Sequence, residues 1–81
     1  MIFPVQIRAA RILVGMSQSE LAERALISVA TVKRIEAMRE ELSGTISTIT
    51  NIKRALEEEG VIFIDQDEKR GPGVRLRKRL T

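Results

Sequence analysis

Between Pro4 and Gly60 the apolar residues recur at helical spacing in four blocks, each bounded by a residue that starts or stops a helix. A chain built this way folds as a cluster of short helices. Pro4 suits a first helical position, and Ile7, Ala10 and Val14 follow on one face until Gly15 stops the pattern. Ser17, Gln18, Ser19 and Glu20 form a capping box that opens a second helix running to about Ala25, with Leu21 and Ala22 turned inward. Ser28 is placed to cap a third helix carrying Val32 and Ile35, which Met38 and Leu42 would prolong by a turn before Gly44 ends it. Thr45 caps a fourth, with Ile46, Ile49, Ile52 and Leu56 on one side and Gly60 at a left-handed C-terminal cap.

After Gly60 the period changes. Val61 to Ile64 is a β-branched and aromatic run, and Val74-Arg75-Leu76-Arg77 alternates apolar with charged, as half-buried strands do. Asp65 to Gly73, charged and closing in Gly-Pro-Gly, reads as the loop between them. The expected organisation is a helical unit over residues 1–60 and a strand-loop-strand element over residues 61–81. A lone hairpin is marginal in water, so these strands must pack on the helices or on a second chain.

Composition narrows the function. With no Cys and no His, the chain lacks thiolate and imidazole ligands and the usual general base, so neither a metal nor a cofactor is expected. The acids Glu57, Glu58 and Glu59 are adjacent on a helix end; they span nearly a turn and cannot aim at one atom, which argues against an enzyme. No apolar run approaches the roughly 20 residues of a membrane span, and the N-terminus carries no secretory signal, so a cytoplasmic location is expected. Residues 1–60 hold eight Lys/Arg against eight Asp/Glu, and residues 61–81 hold six against three, so the whole net charge of +3 sits in the final segment. Such a basic segment fits a polyanion. Two Phe and no Trp or Tyr leave no platform for stacking unpaired bases, which favours a duplex over single strands.

The second and third helices are separated by Leu26 to Ser28, with Ala22 small enough to let them approach, and this spacing is that of a helix-turn-helix. The run Gln18-Ser-Glu-Leu-Ala-Glu-Arg-Ala-Leu-Ile-Ser-Val-Ala-Thr-Val-Lys-Arg-Ile-Glu36 closely resembles the phage repressor and Cro-type (XRE-like) helix-turn-helix regulators. Gln18, Ala22, Ile27, Val32, Ile35 and Glu36 stand where that pattern expects them, and the resemblance spans roughly residues 5 to 60. Gly73 to Arg77 also resembles the ending of small regulators of this type. The resemblance implies a mainly α fold, a four-helix lambda-repressor-like domain followed by a short antiparallel β-hairpin, and a function in sequence-specific duplex binding. Two departures stand out. The turn holds Leu26 where the family usually has Gly, so either the turn differs locally or Leu26 bears strain of about 1 kcal/mol. The Glu36 to Thr48 connection is about two residues longer than usual.

Charges on the apolar stripes give a separate handle. At about 100° per residue, Arg11 lies close to the Ile7, Ala10 and Val14 face and Glu36 close to the Val32 and Ile35 face, so the two are expected to pair across helices one and three; the resemblance implies the same pair. On helix three, Ala30 and Arg34 sit opposite Val32, flanked by Thr31 and Lys33, with Val29 at the start, which makes the outward face. Arg34 and Lys33 suit guanine O6 and N7, Thr31 offers a hydroxyl or methyl, and Val29 and Ala30 suit thymine methyls. The DNA-binding candidates are thus Gln18, Ser28, Val29, Ala30, Thr31, Lys33, Arg34 and Thr45. Gln18 opens helix two, where free amides favour a phosphate, and the resemblance implies a backbone or base contact for it; Ser47 is a weaker candidate beside Thr45.

Such a module reaches specific affinity by combining two half-sites, so a homodimer on a palindromic operator is expected; the resemblance implies that it acts by promoter occlusion, in repression or autoregulation. Val61, Phe63, Val74 and Leu76 are the candidate dimer interface, with Arg75, Arg77, Lys78 and Arg79 facing DNA or solvent. The rival reading is an antitoxin or co-regulator whose hairpin grips a partner protein.

Overall fold

The computed structural model describes residues 2–39 and 45–81. Four helices, α1 (Pro4–Leu13), α2 (Gln18–Ala25), α3 (Val29–Glu36) and α4 (Ile46–Glu58), precede a two-stranded antiparallel sheet of β1 (Val61–Ile64) and β2 (Gly73–Leu76). Hydroxyl caps set three of the helix starts. Ser17 Oγ accepts from the Glu20 amide at 3.0 Å while Glu20 Oε1 accepts from the Ser17 amide at 3.0 Å; Ser28 and Thr45 cap α3 and α4 by accepting from the Thr31 and Thr48 amides at 3.1 and 3.2 Å. The first helix starts instead at Pro4, whose missing N–H is one that would have no helical partner.

Helices α1 and α2 end in the same way. Gly15 and Leu26 both adopt positive φ, and their amides donate to Ile12 and Glu23, while the next amides, of Met16 and Ile27, donate to Arg11 and Ala22. This pair of bonds is the Schellman arrangement, and it brings Met16 and Ile27 back onto the core. The core itself is drawn from all four helices: Ile7 and Ala10 of α1, Leu21, Ala22 and Ala25 of α2, Val32 and Ile35 of α3, and Ile52, Ala55 and Leu56 of α4 are all buried.

Three expectations need correction. The third helix ends at Glu36, with Ala37 as its cap, and Met38 packs on the core from outside the helix; Leu42 and Gly44 lie outside the described residues. Ile46 begins α4 but is 84% exposed, because the neighbours that bury the stripe cover it only from Ile49 onward. The second strand starts at Gly73 and ends at Leu76, so the loop is shorter by one residue; Arg77 still donates its amide to the Gly60 carbonyl at 2.7 Å.

The hairpin pairs Val61 with Leu76, Ile62 with Arg75, Phe63 with Val74 and Ile64 with Gly73, and lies against α4 through β1 and α1 through β2. Val61 is 2% exposed and belongs to the core, Phe63 and Val74 pack against it, and Leu76 is half-buried. The four residues expected at a subunit interface therefore share one face, and that face is turned to the chain's own helices. Ile62, Ile64 and Arg75 stand on the other side, exposed.

Gln6 clamps this hairpin. Its side chain is buried between α1 and the open end of the sheet, where Nε2 donates to the carbonyls of Ile64 and Gly73 at 3.1 and 3.0 Å and Oε1 accepts from the Phe3 amide at 2.8 Å. One amide thus satisfies both carbonyls at the last cross-strand pair. Replacing Gln6 with Ala leaves these groups without their partner and is expected to destabilise the fold by about 2 kcal/mol. Urea denaturation checks the magnitude, and hydrogen exchange should show the loss concentrated in β1 and β2.

Candidate nucleic-acid interface

The short cap-to-cap length of α2 and α3 allows the pair to be held rigidly by few contacts. On the inner side of α3, Val32 and Ile35 are buried among α1 and α2. Glu36 is buried beside them and is the centre of a polar cluster. Arg11 Nε donates to Glu36 Oε2 at 2.8 Å and Arg11 Nη2 to Oε1 at 2.9 Å, a fork-to-fork pair between α1 and α3. Arg11 Nη1 also donates to the Met16 carbonyl at 3.0 Å, just past the end of α1. Gln18 Nε2 donates to Glu36 Oε1 at 3.1 Å, so the same carboxylate reaches the first residue of α2. The bond from Glu36 pushes the Arg11 guanidinium further above its already high range, so it stays charged wherever the protein is folded.

The outer side of α3 carries Val29, Ala30, Lys33 and Arg34, all exposed, with Thr31 half-buried at its edge. Lys33 and Arg34 also sit in the last turn of the helix, where cations oppose its negative end. Ser28 and Thr31 are partly committed to each other: their hydroxyls are 2.8 Å apart, in addition to the cap. Thr45 is engaged likewise, with Thr48 Oγ1 at 2.7 Å and Ser47 Oγ at 3.3 Å. These hydroxyls keep lone pairs or protons for a phosphate but are first of all structural.

The start of α2 is divided between its own cap and the surface. Glu20 fills the amide of Ser17, and those hydrogen bonds with Ser17 hold its carboxyl below the usual range, so it stays ionised there. The amides of Gln18 and Ser19 make no hydrogen bond among the described residues and remain open. A phosphate at this end would meet these two donors beside the Gln18 side chain, against some repulsion from Glu20.

Between the helices, Leu26 takes φ 60 and ψ 43, the left-handed conformation, and its side chain is 80% exposed. The turn therefore keeps the geometry that usually selects Gly, and Leu26 bears the strain. The family model described as Helix-turn-helix matches residues 7–57, from Ile7 on α1 to Glu57 on α4. The chain belongs to that family. It is an XRE-type helix-turn-helix protein, a class of DNA-binding transcription regulators. A search of the curated proteins finds no match. Among the described residues no helix is long and apolar enough to cross a membrane.

Two substitutions test this helix-turn-helix. Leu26→Gly relieves the left-handed strain and removes an exposed apolar side chain at the cost of a floppier unfolded chain, so a net gain of up to about 1 kcal/mol is expected in urea denaturation. Glu36→Ala strands Arg11, whose side chain is 16% exposed, and frees Gln18; with partial solvation of the orphaned charge the loss is about 2–3 kcal/mol, read from the same denaturation curves.

Proposed function

We propose that this XRE-type protein is a homodimeric repressor or autoregulator that reads a palindromic duplex operator by laying the Val29–Arg34 side of α3 in the major groove. The observation that carries the reading is the division of α3: Val32, Ile35 and Glu36 are buried while Val29, Ala30, Lys33 and Arg34 are open to solvent. A helix so divided is held by one side and offers the other. Arg34 and Lys33 donate to guanine edges or phosphates, Val29 and Ala30 meet thymine methyls, and Thr31 and Ser28 contact the backbone or a base at the groove edge. Gln18, with the open amides at the start of α2, and Thr45, at the start of α4, receive phosphates. The action is occlusion of a promoter in the cytoplasm.

The hairpin remains the dimerisation element in this reading, through its outer side. Because Val61, Phe63 and Val74 are used by the chain's own core, the surface available to a second copy is that of Ile62 and Ile64. An antitoxin or co-regulator would use that same surface on a different protein.

Random-site selection with the purified protein, followed by footprinting, tests the reading. A palindrome with half-sites about 34 Å apart is expected, with affinity falling steeply as salt rises because several phosphates are neutralised. Arg34→Ala should cost about 1–3 kcal/mol and relax one position in each half-site, whereas Lys33→Ala, if it serves a phosphate, should weaken all sequences alike and lower the salt slope by about 1. No enriched sequence, or affinity indifferent to salt, would count against DNA as the ligand and favour the protein partner.

A further inference from the structure

Behind the helix-turn-helix, the first turn of α1, the residues following α3 and the hairpin loop border an open cleft of about 620 Å³. That volume lies within the ~300–1,000 Å³ of small-molecule sites. Its walls are chemically uneven. Phe3, Val5, Met38 and Pro72 give apolar surface, while Arg8 from α1 and Arg39 from beyond α3 both open into it.

Neither arginine forms an ion pair among the described residues. The acid that lines the cleft, Glu36, is taken up by Arg11 and Gln18, so it does not neutralise them. The start of α1 also borders the space and has no acid in its first turn, which adds partial positive charge. The C-terminal end of α3 opposes this with about half a unit charge, against two full cations. Among the described lining residues the charge balance is thus positive, and the cleft is much larger than an inorganic ion requires.

We propose that it binds a small organic anion, with a carboxylate or phosphate group held between Arg8 and Arg39 and an apolar body against Phe3, Val5, Met38 and Pro72. The site also bears on α3. Glu36 lines it and makes the polar links from α3 to both α1 and α2, so a ligand that favours one setting of Glu36 shifts the helix proposed to read DNA. This coupling rests on the DNA-binding reading; the binding site does not.

The test is calorimetry and amide NMR with benzoate, octanoate and phenyl phosphate, set beside neutral benzamide and octanol and beside inorganic phosphate. At least one organic anion should bind with Kd on the order of 1 mM or tighter and shift the amides of Val5, Arg8 and Met38, with the neutral analogue at least about tenfold weaker. The carboxylate and phosphate arms identify the head group. Arg8→Gln with Arg39→Gln should abolish binding while the melting temperature of the free protein holds. No binding by any organic anion, equal binding by the double variant, or inorganic phosphate binding as well as the organic anions would overturn the site. The coupling predicts that the saturating anion changes operator affinity in the native protein and not in the double variant. Unchanged affinity with binding intact would overturn the coupling alone. Operator binding weakened in the double variant while the native protein binds no organic anion would overturn the site and place the two arginines on DNA phosphates.

Discussion

The carboxylate of Glu36 is the point on which the arrangement of the first three helices depends. It is buried, so it must be matched in charge, and Arg11 matches it with two donors, one to each carboxylate oxygen. The same guanidinium closes the Schellman end of α1 by reaching the Met16 carbonyl, and the same carboxylate receives Gln18 from the start of α2. Three helix ends are thereby fixed relative to one another by groups with directional bonding. Apolar packing by Ile7, Leu21 and Ile35 supplies the driving force but is tolerant of small slides and rotations. The fork-to-fork geometry is not, and it defines the orientation of α3 more closely than a core of this size would.

The turn shows what that orientation demands locally. To pass from α2 to α3 in three residues, the chain must reverse with a left-handed residue, and it does so at Leu26 although the position carries a side chain that resists it. The hydrogen bonds of Leu26 and Ile27 back to Glu23 and Ala22, and the return of Ile27 to the core, outweigh the local strain. Gly15 makes the same stop at the end of α1 without strain. Comparison of the two ends shows that the strain at Leu26 comes from residue identity, since the backbone solution is shared.

Much of this was legible in the sequence because the deciding signals are local. The capping hydroxyls of Ser17, Ser28 and Thr45 and the stop at Gly15 depend on neighbours within four residues, and they located the helix ends. The Arg11 and Glu36 pair was legible for a different reason: each charge falls on an apolar stripe, and a charge there needs a partner. Gln6 carries the same signal, since it lies one turn before Ala10 on the buried face of α1, but a neutral amide does not demand a particular partner, and its ligands are backbone carbonyls that sequence cannot distinguish. The period-two alternation of the hairpin sorted Val61, Phe63, Val74 and Leu76 onto one side and Ile62 with Ile64 onto the other. It could not say which side covers the helices, because both carry apolar residues. The end of α3 was misplaced since Met38 continues the apolar spacing without continuing the helix; a residue can join a core from extended chain as well as from a further turn.

The early end of α3 limits what this helix would offer a duplex under the proposed function. An eight-residue helix is about 12 Å long, near the width of the major groove, and Val32, Ile35 and Glu36 are committed to the interior. In the proposed complex the side chains offered to bases come from Val29 to Arg34, fewer than two turns, and the two longest of them, Lys33 and Arg34, are nearest the C-terminal end. Their charges are stabilised there by the helix dipole before any DNA arrives, so the helix carries its donors in place. The short, nearly neutral side chains at its start allow that end to approach the bases closely, and the long cations behind them can extend to bases or phosphates farther along the groove. Size and charge are thus graded along α3, and a palindromic pair of such helices would present the gradient in mirror order about the dyad, which gives a site direction within each half without any contact between the halves.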